Sequence, residues 1–235
     1  MTPSFNCSDV IQNVIAFRPA PGRLSLPDLC CDITVVNGRA YFTGPMTHAT
    51  ASPYVNQDVL LLRINVSAAR RWVGVPVSDL TDRIVPLEDI GLSLNDAVLR
   101  ALQARRLVVV PRLERPADDR RFAAAARMLL SGQPVRDVAD AVALSERQLE
   151  RLIVDRVGVS PKLFARIARF RRAAVAARSG LPLADVAATH GYADQSHFAR
   201  DVHAFTGRSW RALLGNFGDV GFVQDADRLA SVGCE

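Results

Sequence analysis

The chain has 235 residues, 49% hydrophobic and 23% charged, the balance of a soluble globular protein with length enough for one or two packed domains. No apolar run approaches the ~20 residues of a membrane span, and the opening MTPSFNCSDV lacks the basic and apolar regions of a secretory signal, so the expected location is the cytoplasm, with no membrane partner. The net charge of +5 is concentrated: residues 116–215 hold 16 basic against 10 acidic residues, residues 1–115 hold 12 against 10, and residues 216–235 hold one against four.

In chain order, the first elements are strands. Ile11–Phe17, Leu29–Val36, Arg39–Thr43 and Val59–Val66 are short β-branched and apolar runs, separated by turn signals at Pro19–Gly22, Asn37-Gly38, Gly44-Pro45 and Ser52-Pro53. Asn37-Gly38 between two such runs predicts a tight hairpin. Ser67–Val73, Val77–Arg83 and Leu87–Arg105 then read as helical, Leu107–Val110 as a last strand, and Pro111–Pro116, with a proline at each end, as a linker. Adjacent Cys30 and Cys31 form no CxxC pair and, on a strand, point to opposite faces. They read as half-buried free thiols. His48 and Trp72 are candidate lining residues for an effector pocket, although each is more often a packed residue.

From residue 116 the chain is helical and repeats itself. Ser131-Gly132-x-Pro134 returns 48 residues later as Ser179-Gly180-x-Pro182, and Asp137-Val138-Ala139 returns as Asp185-Val186-Ala187. After a turn the offset becomes 49: Leu149 pairs with Phe198, Arg151 with Arg200, Gly158 with Gly207 and Ser160 with Ser209. A residue inserted within a helix would rotate all later side chains by about 100°. The insertion therefore marks a turn near Gly191, and each copy reads as helix, tight turn, helix. Ser145 and Asp194 fit N-caps of the second helices, Ser145 with Gln148 fits a capping box, and Gly158 and Gly207 fit left-handed C-terminal positions. Val138, Ala139, Val142, Leu149 and Ile153 form the expected core of the first unit; Val186, Ala187, Tyr192, Phe198, Val202 and Phe205 form that of the second. Pro161–Arg178 has no breaker after its first residue and reads as one helix joining the units.

Two short helices across a tight turn, in a basic segment, predict a helix-turn-helix reader of DNA. The stretches LSERQLERLIVDRVGVSPKLFARIARFRRA and LADVAATHGYADQSHFARDVHAFTGRSW resemble the DNA-binding domain of AraC/XylS-type transcriptional regulators. The resemblance covers residues 121–214. PDLCCDITVV, TGPMTHA and LLRINVSAARRWVGVPVSDLTDRIVPLEDI resemble the N-terminal domain of some such regulators. The chain departs from the family pattern at Ile153 and Val202, where a Phe is usual, at Ser209-Trp210 in place of Ser-Pro, and in the acidic Glu146 and Glu150 on the first recognition helix.

The resemblance implies an α+β chain. Residues 1–112 form a small β-rich regulatory domain with helices, for effector sensing or dimerisation. Residues 116–215 form an all-α DNA-binding domain of two helix-turn-helix units on a connecting helix, and 216–235 an acidic tail free to fold back on the basic domain or stay loose. Two recognition helices would enter successive major grooves about 34 Å apart. Expected toward DNA are Glu146, Arg147, Glu150 and Arg151 on the first, and Gln195, Ser196 and Arg200 on the second, with His197 at the groove or a phosphate. Lys162, Arg166, Arg169, Arg171, Arg172, Thr206 and Arg208 are candidates for phosphate. The implied partners are double-stranded DNA, a small-molecule effector, RNA polymerase and a second copy through the N-terminal domain.

His190, His197 and His203 gather in HGYADQSHFARDVHAFTG, yet no two have the i, i+4 spacing of a helical metal pair. Neither a metal, a cofactor nor an enzymatic activity is expected. Two alternatives stand beside the effector-controlled regulator. One is a DNA-binding regulator without effector. The other is a Cys-based alkyl acceptor for DNA repair, which needs an activated thiolate at Cys30 or Cys31; PDLCCDI offers only acids nearby in sequence.

Overall fold

The computed structural model describes residues 11–22, 24–64, 66–93, 117–214 and 220–221. The N-terminal region is built on a five-stranded antiparallel sheet of β1 (Ile11–Phe17), β6 (Val59–Ile64), β3 (Cys31–Val36), β4 (Arg39–Thr43) and β7 (Ile84–Pro86), in that spatial order. Asn37 and Gly38 both take positive φ, 49° and 75°, as the predicted two-residue hairpin requires. A second, small sheet pairs β2 (Leu24–Ser25) antiparallel with β5 (Thr50–Ala51) and parallel with β8 (Val220–Gly221).

β3 and β6 are buried on both faces, and the period of two sorts their side chains. Cys31, Ile33 and Val35 of β3, with Leu60, Leu62 and Ile64 of β6, meet α1 (Val66–Val73) and the 3-10 turn Val77–Leu80 in one apolar core. Asp32 and Thr34, with Val59, Leu61 and Arg63, face the other way into a cavity of about 90 Å³ beside the small sheet. Gly44 lies against the 3-10 turn so closely that an added Cβ would fall 1.8 Å from the Leu80 carbonyl oxygen. Gly44→Ala therefore forces a backbone shift and should lower stability by about 1–3 kcal/mol, read as a lower thermal midpoint.

The C-terminal region is helical: α2 (Ala117–Leu130), α3 (Val135–Ala141), α4 (Glu146–Val157), α5 (Pro161–Arg178), α6 (Leu183–Thr189), α7 (Gln195–Thr206) and α8 (Trp210–Leu214). Every core residue expected in the two units is buried. This core also takes in Leu24, Leu26 and Leu29 of the N-terminal region, so the segment around β2 is shared between the two halves.

Several readings change. Of Val77–Arg83 only Val77–Leu80 is helical, as a single 3-10 turn, because Thr81 leaves it with extended backbone and Asp82 takes φ 57°. β2, β5 and β7 were not predicted; at two or three residues they carry no periodicity. Leu87–Ile90 is a 3-10 turn ended by left-handed Gly91. Leu92 and Ser93 are not helical, and the expected helix from residue 94 to Arg105, the strand Leu107–Val110 and the Pro111–Pro116 linker lie outside the described residues. Val220–Gly221 pairs with β2 of the N-terminal region rather than with the basic helical region.

Candidate nucleic-acid interface

Both units fold as the repeat predicts. In the first, α3 and α4 meet at a turn through left-handed Ala143 (φ 53°); in the second, α6 and α7 meet through left-handed Gly191 (φ 75°). The Leu144 N–H donates to the Ala139 carbonyl and the Tyr192 N–H to the Ala187 carbonyl, so the turns match residue for residue to that point. The extra residue of the second copy is Ala193, between Tyr192 and the cap Asp194. Ser145 accepts from the Gln148 N–H and the Gln148 side chain accepts from the Ser145 N–H, the reciprocal capping box; Asp194 accepts from the His197 N–H. Gly158 (φ 81°) and Gly207 (φ 66°) end α4 and α7 in the left-handed conformation.

These caps fix which side chains start each recognition helix. Glu146, Arg147, Glu150 and Arg151 on α4, and Gln195, Ser196 and Arg200 on α7, are all exposed. Lys162 is exposed in the first turn of α5; Arg208, just after Gly207, is half-buried. The first helix therefore offers two guanidinium forks and two carboxylates, and the second an amide, a hydroxyl and a guanidinium. These groups suit guanine, cytosine and adenine edges in a major groove.

His197 departs from its expected place. Its ring is 3.4 Å from Arg169, accepts from the Ala193 N–H, and stands edge-on to Tyr192 at 5.0 Å. It is a packing member of the second unit. His190 caps α6, its ring against the Val186 carbonyl, and His203 is exposed. Among the described residues no group of three or more His, Cys, Asp or Glu is gathered as for a metal ion.

Four arginines of α5 expected at phosphates are used inside the protein. Arg166 Nε donates to Asp201 Oδ1 at 2.8 Å, and Arg169 Nη2 to Asp201 Oδ2 at 3.2 Å. Arg171 is buried and donates to the Asp28 carbonyl at 3.1 Å; Arg172 donates to the Leu130 carbonyl. Thr206 donates to the Val202 carbonyl.

Asp201 is the residue the sequence reading missed. It is only 2% exposed, receives both arginines and the Tyr192 hydroxyl (3.1 Å), and ties α7 to α5. Arg169 also lies over the Tyr192 ring at 4.2 Å. Burial, and next the Asp201 carboxylate, push the Tyr192 hydroxyl well above its ordinary value, so it remains a donor. A signal existed: by the repeat, Asp201 stands where the first copy has Leu152.

The cysteine neighbourhood is a correction. Tertiary structure brings Arg63 and Arg171 beside Asp28 and Cys30, where sequence offered only acids. Arg63 meets Asp32 at 3.0 Å and Asp28 at 2.5 Å. Burial pushes Asp28 up, yet Arg63 and Arg171 together hold it below the usual carboxylate range; for Asp32 burial prevails and raises it. Both cysteines are fully rather than half-buried, and burial pushes the Cys30 thiol up to about 12. Burial likewise raises the Cys31 thiol, the opposite of the shift that activates a nucleophilic cysteine. His48, exposed beside Asp82, and Trp72, stacked on Phe42 at 6.4 Å, both stand apart from the cavity lining.

A tandem pair of capped helix-turn-helix units on a shared connecting helix defines a DNA-binding module. Residues 138–215 match the family model of a helix-turn-helix domain, one of AraC type. No curated protein sequence matches the chain. Solved structures similar to it include an apo variant of ToxT from Vibrio cholerae strain SCE256 (11% identity, TM-score 0.44, covering 90% of this chain and 98% of that one). ToxT from Vibrio cholerae O395 is 9% identical with TM-score 0.44, covering 88% and 97%. Unsaturated-fatty-acid-bound ToxT of strain SCE256 is 10% identical with TM-score 0.38, covering 86% and 90%. Among the described residues no helix is long and apolar enough to cross a membrane.

Proposed function

We propose that the chain is a sequence-specific transcriptional regulator that lays α4 and α7 into successive major grooves on one face of duplex DNA. Arg147, Arg151 and Arg200 read guanine edges, Gln195 reads adenine, and Glu146 and Glu150 restrict the first half-site by accepting from cytosine while repelling phosphate. Ser196 contacts a base or sugar, and Lys162 and Arg208 hold phosphates. The observation that carries this reading is that Glu146, Arg147, Glu150 and Arg151 in one unit, and Gln195, Ser196 and Arg200 in the other, are exposed on helices with capped starts. The N-terminal region, residues 1–112, exerts control through a small molecule or through self-association. The cavity beside Arg63 and Asp32 supports the former, since a mostly apolar hollow with a few polar groups is the usual form of a ligand site. RNA polymerase and a second copy of the chain are the proposed protein partners.

The test is a footprint and salt titration of the full-length protein on its own upstream DNA. Two protected patches one helical turn apart are expected. With 6–10 phosphate contacts, affinity should fall about 10³–10⁵-fold between 50 and 200 mM salt. Arg200→Ala should cost about 1–3 kcal/mol and relax specificity at one position of the second patch. Absence of binding even at low salt overturns the reading.

A further inference from the structure

The two reading units are equivalent by repeat but are held differently. Helix α4 packs against α1 and the 3-10 turn Val77–Leu80 of the N-terminal region, as well as against its own unit. Arg70 Nε donates to Asp155 Oδ1 at 2.9 Å, and Thr81 Oγ1 donates to the Gly158 carbonyl at 3.0 Å. Asp155 also lies 3.6 Å from Arg156 of its own helix. The approach at Gly158 is close enough that an added Cβ would meet Thr81 Oγ1 at 2.3 Å, the Val77 carbonyl at 3.1 Å and Pro45 Cγ at 3.2 Å. At the equivalent Gly207 of the second unit an added Cβ would meet nothing within 4 Å, and the residue equivalent to Asp155 is the exposed Ala204. Among the described residues the second unit takes one backbone bond from this side, Ala49 N–H to the Phe205 carbonyl at 2.6 Å. Its recognition helix is held to the connecting helix by Asp201 instead.

From this asymmetry we infer that the N-terminal region braces the first reading unit and not the second, so that regulation reaches DNA through one half-site. The inference rests on the two-headed reading above. The clasp grips the C-terminal end of α4 and leaves Glu146, Arg147, Glu150 and Arg151 exposed, so it orients the helix rather than covering it. Arg70 and Thr81 are positioning residues: they touch no DNA and act by holding α4 at a fixed angle to α5. A signal that shifts α1 or the 3-10 turn then changes the fit of α4 to its groove, while α7 keeps its place.

The test uses the full chain and a duplex carrying both protected patches of its upstream DNA, with versions in which either patch is scrambled. The first patch is the one whose protection R147A/R151A abolishes. R70E/T81A should bind the intact duplex about tenfold more weakly than the unsubstituted chain, with lost protection confined to the first patch. The difference should vanish on the duplex whose first patch is scrambled. R70E alone should lose part of the affinity and R70E/D155R, which restores an opposite-charge pair, should recover most of that part, an outcome that a general folding defect would not give. Unchanged or tighter binding, equal loss at both patches, or a loss that persists without the first patch overturns the inference. Failure of the unsubstituted chain to protect two patches overturns the two-headed reading itself, and is seen before any variant is compared.

Discussion

Replacing Arg63 by methionine should lower the free energy of unfolding by about 3–5 kcal/mol, the cost of leaving buried charges without their partner. Arg63 stands directly opposite Asp32 across β3 and β6 and reaches Asp28 on the segment leading into β3. Its guanidinium satisfies both carboxyls where water is scarce. Removing both acids along with it, as in R63M/D28N/D32N, should recover much of the loss, because the desolvation cost of three charges goes with them. The pH dependence has a definite sign. Asp28 is held below its ordinary value, so it contributes stability that is present above about pH 3.9 and lost as pH falls through its native value. Without Arg63 both carboxyls rise and take up protons earlier. The gap between unsubstituted chain and R63M should therefore narrow steadily from pH 7 toward pH 3. Denaturant unfolding followed by Trp72 fluorescence in a Trp210→Phe background reads this, because Trp72 reports on the sheet core.

Asp201→Ala should cost about 2–4 kcal/mol. A buried carboxylate answering two arginines falls in the range for breaking buried pairs, reduced here because Arg166 and Arg169 retain 43% and 26% side-chain exposure and can rehydrate. The Tyr192 hydroxyl loses its acceptor as well, adding the cost of an unsatisfied buried donor. Trp210, packed 5.6 Å from Phe198, reports unfolding of this unit in a Trp72→Phe background. The same substitution frees α7 from α5, so protection of the second patch should weaken at protein concentrations where the first is still covered. Asp201→Asn, which keeps the shape and one acceptor, should lose less on both readouts. An Asp201→Ala protein with unchanged stability and unchanged footprint would show that the network carries neither.

The site was partly legible because its defining features are local. A cap needs a hydroxyl or carboxylate at one position; a left-handed terminus needs glycine; an apolar face needs a period of 3.6. Ser145, Gln148, Asp194, Gly158 and Gly207 satisfy these rules within a few residues of themselves, so α4 and α7 and their exposed faces were readable. The arginines of α5 were not, because whether a guanidinium meets phosphate or a carboxylate depends on what a distant segment brings to it. Arg166 and Arg169 lie 35 and 32 residues from Asp201, and Arg171 meets Asp28 across 143.

By itself the sequence determined the repeat, the two turns, the capped recognition helices, the connecting helix and the Asn37-Gly38 hairpin, since each follows from short-range backbone geometry and helical or strand period. Tertiary structure alone decided three other things. It buried Cys30 and Cys31 beside Arg63, turning an acidic stretch into a charge-balanced interior. It engaged His197 and the α5 arginines in contacts within the protein. It also set the N-terminal region against α4 and, among the described residues, left the equivalent Gly207 at the end of α7 without such a contact, a difference between two repeat-related units that no local rule contains. Each depends on contacts between residues far apart in the chain, whose cost and gain exist only once desolvation and packing bring them together.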